Sequence, residues 1–286
     1  RQVARTIIRQ GLTTGGVVWP PVLFRFAPPP LHLVVSPRER IEIMRSLDLQ
    51  PALSLTERER LEDAMDRALD VSSLIEDLGG YGAYPPLVLE YASLAWLTNA
   101  VAHEWAHNYL EFHPLGWRYS RSMDMRTLNE TAASIIGDEV GALVIRDYYP
   151  WIEPPALSWQ RPEEPASETR PPRDEPESEF DFGRFMRETR LEAERLLDQG
   201  QIEEAERHME ARRQELVEHG YLIRKLNQAY FAFHGLYATA PGAVDPIGPK
   251  MEQLRRQSLS LRDFLRTIRA FQSPADLDHV LGGGEQ

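Results

Sequence analysis

The chain of 286 residues contains no cysteine. That excludes disulfide-stapled scaffolds and thiolate metal sites. Lysine is almost missing too: Lys225 and Lys250 are the only two, and arginine carries the rest of the positive charge. Such a composition suits a GC-rich or heat-adapted source. Basic residues are outnumbered by acidic ones, leaving a net charge of −12. Gripping a phosphate backbone requires a basic patch, so nucleic acid is excluded as the main partner. A clean membrane-length run is lacking as well. Residues 87–110 are long and apolar, but Glu90, Asn99, His103, Glu104, His107 and Asn108 interrupt them, and such groups are costly in hydrocarbon. Residues 17–35 are broken by Pro20, Pro21 and Pro28 to Pro30 and read as an extended arm. No signal peptide is visible. A chain that opens on Arg1 leaves room for a targeting or anchoring segment upstream, on which any exported or membrane-anchored location would depend.

What is present is one string of specific chemistry: His103-Glu104-Trp105-Ala106-His107. On a helix, positions i and i+4 share a face, so both imidazoles can bind one metal ion. Glu104, one position round, reaches a water on that ion rather than the ion itself. Zinc accepts neutral imidazole and acidifies water, and the carboxylate can then take a proton and return it to a leaving amine. The plain alternative is two hydrogen-bonded core histidines. Context favours the metal, because residues 87–110 hold no Gly or Pro, read as one buried helix, and leave two His and a Glu in need of partners.

Around this helix the sequence predicts a strand over 31–35 and a helix from Ser36-Pro37 to about 47. A further helix reaches about 68, with Thr56 and Glu59 at capping-box spacing. Residues 78–86 form a Gly- and Tyr-rich loop ahead of the metal helix, of the kind that lines substrate clefts. Another long helix covers 126–148, where Ala133, Gly137 and Gly141 repeat every four residues and permit a close neighbour. Residues 153–181 turn to Pro, Glu, Ser and Asp and read as an acidic linker. A charged helical hairpin over 182–199 and 202–218 follows, then an apolar helix over 221–240 and a last one over 259–271. The implied organisation is an N-terminal arm and metal-binding helical core (1–152), the linker, and C-terminal helices (182–286) that pack back on the core. The fold class is mainly α with at most a few short strands.

A catalytic zinc takes three protein ligands and keeps one position open. His113 has the spacing of a third histidine, but the glycine that should end the helix before it is Leu110. Glu130, in Asn129-Glu130-Thr131-Ala132-Ala133, begins the small-residue helix and falls opposite the histidine face. It is the preferred ligand.

His103-Glu104-x-x-His107 followed by Asn129-Glu130-x-x-Ala133 resembles the gluzincin zinc metallopeptidases. With the stretch from Lys225 to Tyr230 it is similar to a family of bacterial aminopeptidases whose activity is itself inferred. The resemblance implies a zincin-like, mostly helical peptidase domain. It departs from thermolysin-like members at Ser134, where they carry a histidine-orienting Asp; Asp138 is the available substitute. The expected function is zinc-dependent peptide hydrolysis, with one Zn2+ held by His103, His107 and Glu130 and with Glu104 as general base and acid. The expected partner is a peptide or protein substrate, with exopeptidase and endopeptidase both open. Tyr230, His234 and Tyr237, at i, i+4 and i+7, are the candidates for an oxyanion donor. The alternative is a non-catalytic helical binding protein whose metal is structural and closed by four ligands. A di-iron bundle needs a second Glu-x-x-His, which is missing.

Overall fold

Ser93 and Ser122 start the two helices on which everything else is built. Each serine accepts a hydrogen bond from the backbone N–H three residues on, Trp96 and Met125 respectively, satisfying a donor the helix leaves unpaired. Helix α3 runs Leu94–Leu110 and α5 runs Met123–Tyr148. They pack unusually close because Gly137 and Gly141 face α3. A Cβ at Gly137 would lie 3.0 Å from His103 Cβ, and one at Gly141 would lie 2.9 Å from the Asn99 backbone nitrogen. Helix α1 (Gln2–Arg9) buries Val3 and Ile7 in the same core. Helices α9 (Ile247–Gln257), α10 (Leu261–Ile268) and α11 (Ala275–Gly282) add Met251, Leu254, Phe264 and Leu277 to it.

These descriptions come from a computed structural model, which describes residues 1–89, 92–160, 180–240 and 242–282. The fold is mainly α, with 54% helix and 10% strand. No helix of the described residues is long and apolar enough to cross a membrane.

The main sheet has strand order β3-β2-β4 and is antiparallel: β2 is Leu31–Pro37, β3 is Arg45–Leu49 and β4 is Val71–Asp77. Side chains alternate faces along a strand. One face, with Leu31, Leu33, Val35 and Ile75, meets Met65 of α2 (Leu55–Leu69). The other, with Val34 and Leu74, meets Ala229 and Phe233 of α8 (Gln228–His234). A helix covers each face, which is why β2 is buried along its whole length. A smaller sheet, β1-β6-β5, joins Arg25–Phe26, Leu87–Val88 and Gly80–Tyr81 just ahead of α3. Helices α6 (Phe182–Asp198) and α7 (Ile202–Glu218) form a hairpin around Phe185, Met186, Met209 and Leu216. The short α4 is Pro114–Trp117.

Several local expectations are corrected. Residues 36–47 are not a helix: β2 continues to Pro37, the Ser36 hydroxyl bonds the Arg40 carbonyl at 3.1 Å in a bend, and β3 returns at Arg45. The capping box of α2 is Ser54 with Glu57, not Thr56 with Glu59. The run 87–110 opens as strand β6, and its helix begins only at Leu94. The helix expected over 221–240 is only α8, because Asn227 caps it at Tyr230 N and it ends at His234. Helices α1, α9 and α11 fall where the sequence predicts no helix. Of the acidic linker, residues 161–179 lie outside the described residues, whereas Leu157 and Trp159 are buried in the main core.

Candidate metal centre

Helix α3 presents His103 and His107 one turn apart, and α5 presents Glu130 opposite them. The two Nε2 atoms are 3.0 Å apart, and Glu130 Oε2 lies 3.3 Å from His107 Nε2 and 3.6 Å from His103 Nε2. Zinc bonds of about 2.0–2.2 Å in a tetrahedral set place neighbouring donors about 3.3–3.5 Å apart. The triad therefore has the size of a metal site with one face left open. No fourth His, Cys, Asp or Glu atom joins the cluster among the described residues.

The electrostatics agree with a cation's place. Burial works against charge on Glu130, yet the His107 and His103 imidazoles hold its carboxyl well below the usual range. Burial alone would lower His107; the Glu130 carboxylate outweighs it and raises the imidazole to about 9. A buried carboxylate is balanced here by a proton that a divalent ion can replace.

Supporting side chains fix the triad. The His107 ring donates Nδ1–H to Asn129 Oδ1 at 2.7 Å, which leaves Nε2 facing the triad. The Asn129 amide nitrogen is 3.4 Å from the Leu115 carbonyl, which sets the orientation of its amide. Tyr119 donates its hydroxyl to Glu130 Oε1 and accepts from Arg126 Nε at 3.1 Å. Burial and the Glu130 charge push the Tyr119 phenol far up, so it stays a donor. Asp138, the sequence candidate for orienting a histidine, accepts from Asn99 instead. Burial raises it to about 6.

The triad opens on a cavity of about 310 Å³. Glu104 also lines it and presses against β5 so closely that a Cβ at Gly80 would lie 2.2 Å from Glu104 Oε1. The Gly- and Tyr-rich loop thus forms a wall through Gly80, Tyr81 and Gly82. The main sheet supplies another wall through the cross-strand pair His32 and Asp48, whose Nδ1 and Oδ1 are 2.8 Å apart. Tyr81 donates to the other oxygen of Asp48 at 2.8 Å.

Family models, curated proteins and solved structures offer no match to this chain.

Of the three proposed donors, Tyr237 lines the cavity, with its ring 6.3 Å from that of His103. Burial, with Glu130 and Tyr119 nearby, raises its phenol well above the usual value. His234 borders an adjoining cavity that shares His103 and Glu104, and burial lowers it to about 4. Tyr230 packs on His234 with tilted rings 4.1 Å apart and lines neither cavity. The three do not share one helical face, because α8 ends before Tyr237. His113 stands just before α4 without a side-chain capping bond and packs on Tyr109, outside the cavity. Sequence reading missed Tyr119, Arg126, His32 and Asp48. Only Asn129 carried a signal, as the neighbour of Glu130.

Proposed function

We propose that the chain is a zinc-dependent peptidase. The observation that carries this reading is the open His103, His107, Glu130 triad with Glu104 beside it in one cavity. Two imidazoles and a carboxylate are a donor set zinc accepts at catalytic sites. Bound there, zinc would supply Lewis-acid polarisation of the scissile carbonyl and lower the pKa of water.

The chain's own residues divide the remaining work. His103 and His107 offer Nε2, and Asn129 keeps the His107 proton on Nδ1. Glu130 provides the anionic ligand oxygen, and Tyr119 holds its other oxygen. Glu104 takes a proton from the attacking water on its carboxylate and hands it to the leaving amine nitrogen. Tyr237, with its raised phenol, keeps an O–H to donate to the oxygen on which charge develops. A cavity of about 310 Å³ is at the small end of ligand pockets and suits a short stretch of peptide.

The test is Glu104→Gln in the zinc-loaded protein. It should still bind one zinc per chain while losing peptide hydrolysis by about 10²-fold or more. Turnover equal to the unaltered protein would refute the assignment.

A further inference from the structure

The cavity walls carry acids in plenty but one strong cation. Arg126 is the only lysine or arginine lining the cavity among the described residues. It stands one helical turn before Glu130 on α5, and residues so spaced have Cβ atoms about 5–6 Å apart. Its guanidinium lies 5.5 Å from the Tyr119 ring centroid and donates through Nε to the Tyr119 hydroxyl. No carboxylate pairs with it among the described residues. The two terminal nitrogens, the fork that grips a carboxylate with two parallel bonds, have no partner there either. Three arginines elsewhere show the usual use of that fork, each bonded to a carboxylate: Arg38 with Glu206, Arg224 with Glu62, Arg255 with Glu139. Three of the acids that line the same cavity have other work. Asp48 is bonded through both oxygens, and Glu104 and Glu130 belong to the proposed chemistry. The sheet-side wall holds a further unanswered group, because His32 Nε2 is buried with no partner among the described residues. The site is set for a polar ligand with an anionic end.

We infer that Arg126 is the subsite for the substrate's terminal carboxylate, and that the proposed peptidase removes residues from C-terminal ends. The inference rests on the peptidase reading for its chemistry, but the carboxylate subsite stands on geometry alone. A carboxylate held one turn from the metal-ligating Glu130 puts the last peptide bond, rather than an internal one, at the triad.

The experiment uses the zinc-loaded chain and three forms of one mixed-sequence peptide set: free at both ends, N-acetylated, and C-amidated. Mass spectrometry should show single C-terminal residues released from the free and N-acetylated sets. Amidation should lower kcat/KM on the order of 10- to 100-fold, the worth of a charge-assisted bond. Arg126→Met should erase that preference by losing activity on the acid alone, and Arg126→Lys should restore part of it. Binding gives a second readout: zinc-loaded Glu104→Gln should bind N-acetylated acids about tenfold or more tighter than amides, and the double variant with Arg126→Met should not. Preference without cleavage removes the peptidase reading and leaves the subsite. Equal handling of acid and amide, or equal losses on both in Arg126→Met, overturns the subsite and leaves the peptidase reading. Cleavage only of peptides with a free amino end also overturns it.

Discussion

Asn129 shows how much one side chain can fix without touching a reactant. By accepting the Nδ1 proton of His107 it determines which nitrogen faces the cavity. Outer partners of this kind typically govern metal affinity by about 10–100-fold. Asn129→Ala is expected to weaken zinc binding by about that factor while circular dichroism stays unchanged; an unaltered affinity would show that the ring is held by packing alone. The raised pKa of His107 makes a second residue-scale prediction. Zinc needs Nε2 bare, and the metal-free site keeps a proton there to about pH 9. On the proposed reading, zinc would therefore displace that proton at neutral pH. Apparent affinity should climb about tenfold per pH unit below 9 and level off above it, which titrations at several pH values will read. The sign for the metal-free fold is opposite. A raised pKa gives stability that is full below the unfolded value of about 6.5, and that stability disappears as pH rises through about 9.

At the scale of elements, the spacing of α3 and α5 depends on two missing methyl groups. Gly141→Ala sets a Cβ 2.9 Å from backbone that cannot rotate away. Alanine gains about 1 kcal/mol of helix propensity, and overpacking costs about 1–3 kcal/mol. The variant should melt at lower temperature, and a higher melting point would contradict so close an approach. Gly137→Ala presses on His103 Cβ itself and should lower zinc affinity as well. This pairing was legible in the sequence because helical spacing is local arithmetic: two histidines four apart, small residues four apart. The strands were less so. Leu47 and Leu49 alternate in a way that fits a strand, yet Ser36-Pro37 imitates a helix start. The pairing of β3 with β2 that decides the matter is not encoded within either segment. His32 and Asp48 meet only through that register, so no motif announces them. Likewise Ser93, not the prolines before residue 87, sets where α3 begins, since β1 captures Leu87 and Val88 as a strand first.

At the scale of the molecule, most ion pairs lie where water screens them, but that of Arg224 with Glu62 does not. Glu62 is buried, receives both ends of the Arg224 guanidinium at 2.7 Å and accepts from Ile75 N–H at 2.6 Å. It joins α2, β4 and the segment that leads into α8. Breaking a buried pair by removing one partner costs about 3–5 kcal/mol, so Arg224→Ala should unfold at markedly lower denaturant concentration. Arg58→Ala breaks the Arg58 pair with the exposed Asp77 and should cost no more than about 1 kcal/mol. Equal losses in the two variants would mean that Glu62 is reached by solvent.

The triad draws its histidines from one long helix and its carboxylate from the other. On the proposed reading a bound ion is thus also a rivet through the centre of the core, and the fold's endurance becomes a function of available zinc. Free ion at about a hundred times its dissociation constant would add about 2.7 kcal/mol to the stability. Stripping it with a chelator would loosen the same seam that positions Glu104. Scarcity of metal would then switch the chain off and mark it for turnover in a single event.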